Sequence, residues 1–486
     1  MTRRMTIPLV TLLVLTAIAT ALLVSRGPGR KKQVNRAPVP LDISDIPVES
    51  SVWVDVHRPA KVWEALRSNA WLARVANEPI GRGMSTGWTG FLSTRGSDVS
   101  DAFRGMVLDV VTDKLLADPF RVVFFAGPSA TGTPAIVVPK SSSAATSAYD
   151  LVEGFALNGS YSAGHCPGQH PAAGQAKPSP AMVISRWLIA EHAVFAAHVG
   201  DRIVLARSPV AAVQALCTPV AEVPTARDID VSISFSPRAL GREAELAATL
   251  LGLGQAPRFA LAVEGNRFEP RGILGTLDEP DRLDAAPPPA DLLKLIPADA
   301  GVVVLATLRL PANLTRDTLR KHLDRSYHGA YSPRPVAVIW NPRGSETLPT
   351  ELAVAWPDRD CGLLAEAFTG PNRMRRRREC RHEVLASTDA LGQSVQRSCE
   401  GKAPSLLNVS PSVAEGLRRP VSFEVGANLG ILLSRLLEDA WMKDASSRGT
   451  ASSEIEAARR LLEELPFFGL GGVAAGSSLV PGGFRS

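Results

Sequence analysis

Three clusters in the sequence bring together side chains capable of chemistry. The tightest is His165-Cys166-Pro167-Gly168-Gln169-His170, with two imidazoles and a thiol inside six residues. These are the ligand types zinc prefers, but a zinc site takes three or four of them. No second compact His/Cys group accompanies this one, so no metal ligand is assigned. Cys166 also has His165 beside it. A cysteine nucleophile needs a paired base and an oxyanion site, and a Gly-Pro loop is a poor platform for either. The second cluster is Asp55 and His57, two residues apart in a β-branched run and therefore on one face of a strand. They form either an acid–base dyad or the polar side of a strand whose other side carries Val54 and Val56. The third is the stretch from Arg373 to Arg381, six arginines against Glu379.

Guanidinium groups pair bidentately with phosphate and carboxylate oxygens. Arg373, Arg375, Arg376, Arg377 and Arg378 therefore make a candidate contact for an anionic partner. The alternative is a solvated loop between a helix over 362–368 and the next strand. Trp53, Trp63 and Trp71 gather near the start of the body. Trp63, Leu66 and Trp71 share one helical face, which suits core packing or a partner groove. There is no G-x-S-x-G, H-E-x-x-H, Walker A or G-x-G-x-x-G in a strand-to-helix context. No catalytic, cofactor-binding or metal residue is nominated, and no cofactor is expected.

The elements that would position these groups repeat. Residues 46–66 (IPVESSVWVDVHRPAKVWEAL) and 296–319 (IPADAGVVVLATLRLPANLTRDTL) share an Ile-Pro, a polar stretch, a β-branched strand, a proline and a helical pattern. Strand-then-helix patterns recur at 229–252 and 421–437, and strand-turn-strand patterns at 259–274 and 471–485. Within the first half, 121–126 and 135–138 read as strands and 143–155 as a helix. A hairpin spans 192–206, followed by a helix capped by Ser208 with Pro209 at its first position. Within the second half, 336–339 and 351–356 pair, and strands follow near 383–385 and 393–397. Cys380 and Cys399 would border a hairpin centred near 388–392 and pair. Cys166 is a partner for Cys217 or a plain thiol, and Cys361 is left over.

The expected fold class is α+β, with two related domains of antiparallel sheets packed by helices after one N-terminal transmembrane or signal helix. The boundaries are 1–25 for the anchor or signal peptide, 26–45 for a basic tether and 46–280 for the first domain. A proline-rich linker covers 281–295, and the second domain covers 296–486.

Met5 to Ser25 is a run of 21 uncharged residues behind Arg3 and Arg4, long enough for one hydrocarbon thickness. It serves either as a retained anchor or as a signal cleaved near Ala17-Ile18-Ala19 or Ala19-Thr20-Ala21. The basic cluster Arg26 to Arg36 argues for the opposite topology by the positive-inside count. The expectation is a single-pass inner-membrane protein with its body in the periplasm. The net charge of +5 belongs to the N-terminus, because seven basic residues and no acid fall within residues 1–36. A body without a basic face disfavours nucleic acid.

The arrangement resembles a loosely defined group of exported bacterial proteins of unknown function. The likeness rests on Ile46-Pro47 through Leu66 with its recurrence from Ile296-Pro297, and on Val199-Gly200-Asp201-Arg202 through Ser208-Pro209-Val210-Ala211-Ala212. The second half departs, with Asp389-Ala390-Leu391-Gly392 where the Gly-Asp turn would be. The resemblance implies a non-enzymatic envelope binding or scaffold role toward an envelope protein or lipid. A periplasmic lipid or lipoprotein carrier is the alternative, with a hydrolase behind it.

Overall fold

A computed structural model of the chain describes residues 38–41, 50–68, 110–125, 134–163, 166, 182–189, 192–206, 208–218, 228–236, 258–265, 267–276, 283–324, 326–341, 351–356, 375–408, 422–428, 431, 460, 467–475 and 478–485. The expected membrane segment, most of the basic tether, the helices expected at 244–252 and 362–368 and all but residue 431 of the helix expected at 429–437 lie outside them. So do Trp71, His165, His170, Cys361 and Arg373. The chain divides into two compact units. One runs through Ala239 and takes Leu261–Glu269, and the other is dominated by Pro270–Ser486.

The N-terminal unit contains β1 (Val39–Pro40), β2 (Ser50–Val56), α1 (Pro59–Ser68), β3 (Phe120–Phe125), β4 (Pro134–Val138), α2 (Ser143–Ala156) and β5 (Leu157–Ala163). It continues with β6 (Met182–Ile189), β7 (His192–Val199), β8 (Arg202–Ala206), α3 (Pro209–Cys217), β9 (Val231–Phe235), β10 (Arg258–Glu264) and the start of β11 (Arg267–Thr276). Its sheet runs β9–β2–β3–β4–β8–β7–β6–β5, antiparallel throughout, with β1 added in parallel to β5. Both faces are covered. Val54, Val56, Val122 and Phe120 lie on one face, where Trp63 of α1 stacks on Phe120 at 5.9 Å. On the other, Val123, Ala135, Val137, Val204 and Ala206 pack against Ala211, Ala212, Val213 and Ala215 of α3. As the sequence signals, Ser208 caps α3 by accepting from the Ala211 N–H at 3.1 Å, with Pro209 in the first turn.

The C-terminal unit contains α4 (Ala290–Lys294), β12 (Val302–Pro311), α5 (Arg316–Leu323), β13 (Tyr331–Asn341), β14 (Glu351–Trp356), β15 (Arg375–Glu379), β16 (His382–Ala386), α6 (Asp389–Cys399), β17 (Phe423–Asn428), β18 (Phe467–Ala475) and β19 (Ser478–Arg485). Its sheet runs β19–β18–β17–β12–β13–β14–β16–β15, all antiparallel. Val303, Leu305, Ala337, Ile339, Ala353, Ala355, Val384 and Ala386 share a core with Leu391 and Val395 of α6 and Leu292 and Leu293 of α4. The proline-rich stretch thus ends inside this core rather than in solvent.

The two ladders follow the same path. Val54 sits between Val122 and Ile233, and Val304 between Val338 and Val425. Ile136 faces Leu205, and Val354 faces Leu385. The β7–β8 hairpin closes at Val199–Arg202, and β15–β16 closes at Glu379–His382. Each hairpin is followed by a helix with a hydroxyl cap, Ser208 in one and Thr388 in the other.

Two expectations need correction. Residues 393–397 are not a strand but part of α6, and the hairpin turn lies at Cys380-Arg381 instead of 388–392. Buried Leu391, Val395 and Ser398 recur at helical spacing, and Thr388 accepts from the Leu391 N–H at 3.2 Å. Gly392 is no turn glycine. Arg377 crosses the helix there, and a Cβ would stand 2.8 Å from its Nε.

The expected Cys380–Cys399 disulfide is present, and of the two readings of Cys166 the bond to Cys217 is the one found. Cys166 pairs with Cys217 at a Cα separation of 5.4 Å, and Cys380 pairs with Cys399 at 6.1 Å. Each ties down the last turn of the helix that follows a hairpin. The Cys380–Cys399 bond also anchors a costly turn. Cys380 (φ 44°) and Arg381 (φ 70°) are both left-handed without being glycine. Each such residue costs about 1–2 kcal/mol. The matching turn of the N-terminal unit uses Gly200 (φ 65°) at its first position. Replacing Cys380 and Cys399 together by serine should lower unfolding stability by about 3 kcal/mol in the loop-entropy account. The change would be read from the urea midpoint under oxidising conditions. An unchanged midpoint would mean that the turn and helix end are fixed by other contacts.

Candidate functional site

The Asp55–His57 pair proves to be the middle of a larger polar cluster on one face of the N-terminal sheet. Asp55 is fully buried on β2 and faces Arg121 of β3 on one side and Ser232 of β9 on the other. Arg121 grips the carboxylate with two donors, Nε to Oδ1 at 2.5 Å and Nη2 to Oδ2 at 3.0 Å. Its guanidinium also lies over the Trp53 ring, 5.8 Å from the centroid. His57 places Nε2 3.0 Å from Ser232 Oγ. Its backbone N–H donates to the Asp230 carbonyl at 2.8 Å.

The Asp230 side chain is buried too. It accepts from the Val263 N–H at 2.6 Å and pairs with Arg58, with Lys61 3.8 Å away. The cluster joins β2, β3, β9, β10 and the start of α1 into one bonded set.

An imidazole against a hydroxyl is the arrangement that activates a serine nucleophile. Here Ser232 is 3% exposed inside a sheet covered on both faces, and the carboxylate that would orient the imidazole is held by Arg121. The set is built to hold strands together, which is the polar-side reading of β2. Arg121, Ser232 and Asp230 carry no sequence signal of their own. Only the strand register makes them neighbours of Asp55 and His57.

Cys166 is consumed by its bond to Cys217, so it supplies neither a nucleophile nor a thiolate ligand. Among the described residues, no group of three or more His, Cys, Asp and Glu side chains gathers as a metal site would.

A second buried network lies under α2. Ser185 donates to Glu153, while Tyr149 packs against Trp187 and His198 at 4.9 and 5.4 Å. Burial first, and the nearby Glu153 carboxylate second, push the Tyr149 phenol well above its ordinary range. It stays neutral at any physiological pH.

The part of the arginine run from Arg375 to Arg378 is a strand and not a loop. Arg375 and Arg377 both pair with Asp389 in the first turn of α6, Arg377 at 2.7 Å, and Arg376 pairs with Glu383. Arg378 and Arg381 are exposed and form no ion pair with another described residue. Of the five described arginines of the run, three lean on two carboxylates, so positive charge remains in excess. Burial raises the Glu379 carboxyl above its ordinary 4.5, Arg377 opposes this, and Glu400 adds to it. A carboxyl whose folded value is raised binds its proton more tightly in the folded state. It therefore subtracts stability as pH climbs from 4.5 through the folded value. Glu379→Gln should flatten that decline, measured as unfolding midpoints between pH 4 and pH 7. An unaltered pH profile would show that Glu379 is solvated like a free side chain.

No family model matches the chain, and no curated protein or solved structure is similar to it.

The C-terminal unit supplies its own control for the Asp55 pair. Leu305 faces Ala337 and Glu424 where Asp55 faces Arg121 and Ser232. Asp55→Leu alone leaves a largely buried guanidinium without its carboxylate and should cost about 3 kcal/mol. The double change Asp55→Leu with Arg121→Ala imports the apolar pair of the other unit. It should recover most of that loss in the same denaturation assay. A double variant no more stable than Asp55→Leu would show that this face tolerates only an ion pair.

Proposed function

We propose that this is an exported, N-terminally anchored, non-enzymatic protein of the cell envelope that binds or scaffolds another envelope component. The observation that carries the proposal is the pair of disulfides, one in each unit. Such bonds persist in an oxidising compartment and are rare in a reducing cytosol. They support export, in keeping with the apolar segment Met5 to Ser25 behind Arg3 and Arg4.

The non-enzymatic part of the reading rests on how the chemical side chains are used. Asp55, Arg121, His57, Ser232 and Asp230 bond to one another or to neighbouring strands inside a closed sheet, and Cys166 is oxidised. In this reading the two units are copies of one ancestral domain. The shared strand order, the matched hairpin closures and the matched caps Ser208 and Thr388 support that descent. The group of exported bacterial proteins that the sequence resembles fits the same role. A duplicated pair of rigid sheets on a tether presents surfaces at a distance from a bilayer, which suits a binding or scaffold protein.

A reporter enzyme that matures only outside the cytoplasm, fused after Ser486, tests the export half. An active reporter is expected. A well-expressed but inactive fusion would place the body in the cytoplasm and assign topology to the basic cluster Arg26 to Arg36.

A further inference from the structure

The two sheets differ most at one edge. In the N-terminal unit, β7 is an inner strand, because β6 pairs along its outer side and β5 follows. In the C-terminal unit, β15 occupies the matching place: it closes on β16 as β7 closes on β8. Among the described residues, no strand lies on its outer side. Where β7 is covered, it carries Phe195, Ala196, Ala197 and His198. In register, β15 carries Arg375, Arg376, Arg377 and Arg378.

The hairpin fixes what that edge offers. In a two-residue hairpin the closing residues, Glu379 and His382, exchange both backbone hydrogen bonds, and such pairs alternate along the ladder. Arg377 and Arg375 are thus bonded to β16, while the N–H and C=O groups of Arg376 and Arg378 point outward. Side chains alternate across the strand. Arg375 and Arg377 lie toward α6 with Asp389, and Arg376 and Arg378 lie on the opposite face. Main-chain donors and acceptors that have no partner strand among the described residues are therefore flanked by guanidinium groups both above and below the sheet.

We infer that the outer edge of β15 binds an extended acidic segment of a partner protein, which adds antiparallel to the sheet where β6 lies in the other unit. Strand addition takes its affinity from main-chain hydrogen bonds and its specificity from alternate side chains. An acidic strand would place carboxylates against Arg376 and Arg378 on one face and Arg375 and Arg377 on the other. A second copy of this chain is a poor occupant, since it would set arginine against arginine. This inference rests on the envelope-binding reading for the identity of the compartment but not for the contact itself.

Charged edge strands also guard sheets against unwanted pairing, and the test separates the two roles. Full-length protein in detergent micelles would be titrated by fluorescence anisotropy with a labelled Glu/Thr-alternating peptide of about eight residues, a little longer than a typical strand. Two further peptides are needed: the same sequence N-methylated at alternate amides, and a Lys/Thr version. Saturable binding of the first peptide alone is expected. Arg378→Glu should weaken it about fivefold to tenfold, since it removes one exposed attraction and adds a repulsion. Arg320→Glu, on the exposed face of α5, should leave it unchanged. Far-ultraviolet circular dichroism checks that each variant is folded.

Equal binding of the N-methylated peptide would reduce the edge to a charged patch and overturn the inference. Absence of binding by the acidic peptide would also overturn it and leave the arginines as guards. Binding to phosphatidylglycerol vesicles but not to peptide would overturn it in favour of membrane contact. The export test is independent. A periplasmic body with no peptide binding removes this inference alone, whereas a cytoplasmic body with peptide binding keeps the strand-addition site and removes the envelope.

Discussion

Everything in each unit depends on a central strand that is paired on both edges and packed into a core. For β2 and β12 this leaves no freedom. A slip of one residue would turn every buried side chain to the opposite face and break two ladders at once. The strands beside them inherit that register, the hairpins inherit it from those strands, and the capped helices α3 and α6 begin a fixed two residues after their hairpins end. Val54 between Val122 and Ile233, and Val304 between Val338 and Val425, are the points from which the rest follows.

The units solve the same burial problem with different chemistry. Beside the central valine, the N-terminal unit buries Asp55 against Arg121 and keeps a small hydroxyl, Ser232, on the third strand. The C-terminal unit puts Leu305 and Ala337 there and moves a carboxylate, Glu424, to the third strand. A buried ion pair returns little net stability once desolvation is counted, but removing half of it is costly. The backbone bond linking this region is common to both, from His57 N–H to Asp230 O and from Thr307 N–H to Ser422 O. Main-chain geometry is thus shared where side-chain chemistry differs, as expected where register is the constraint.

Much of this was legible from residue patterns. The strands at 121–126, 135–138 and 351–356 and the 192–206 hairpin announced themselves by β-branched alternation, and α3 by Ser208-Pro209. Both disulfide pairs were also legible, although Cys380–Cys399 was reached through a wrong local picture. DALGQSVQRSC reads as strand and turn because Gly392 resembles punctuation, yet its glycine makes room for the Arg377 side chain. The true turn, Cys380-Arg381, escaped notice because neither residue advertises a left-handed backbone. Arg121, Ser232 and Asp230 are out of reach of residue patterns, since their link to Asp55 and His57 exists only through pairings across 66 to 177 residues of chain.

The arginine strand shows how the same residues change meaning with their place in a sheet. As a loop, six arginines would be a diffuse cloud, screened within about 10 Å at ordinary ionic strength. In the edge strand, Arg375 to Arg378 are spaced by the pleat and split between two faces, and three of them are braced from behind. Asp389 takes Arg375 and Arg377, Glu383 takes Arg376, and Arg377 is seated over a glycine that leaves room for it. Bracing of this kind lowers the side-chain entropy that a partner would otherwise have to remove on binding. A strand needed only to repel other edges requires charge but not order. Here two carboxylates and a glycine are committed to ordering the charge, and this favours recognition over simple repulsion.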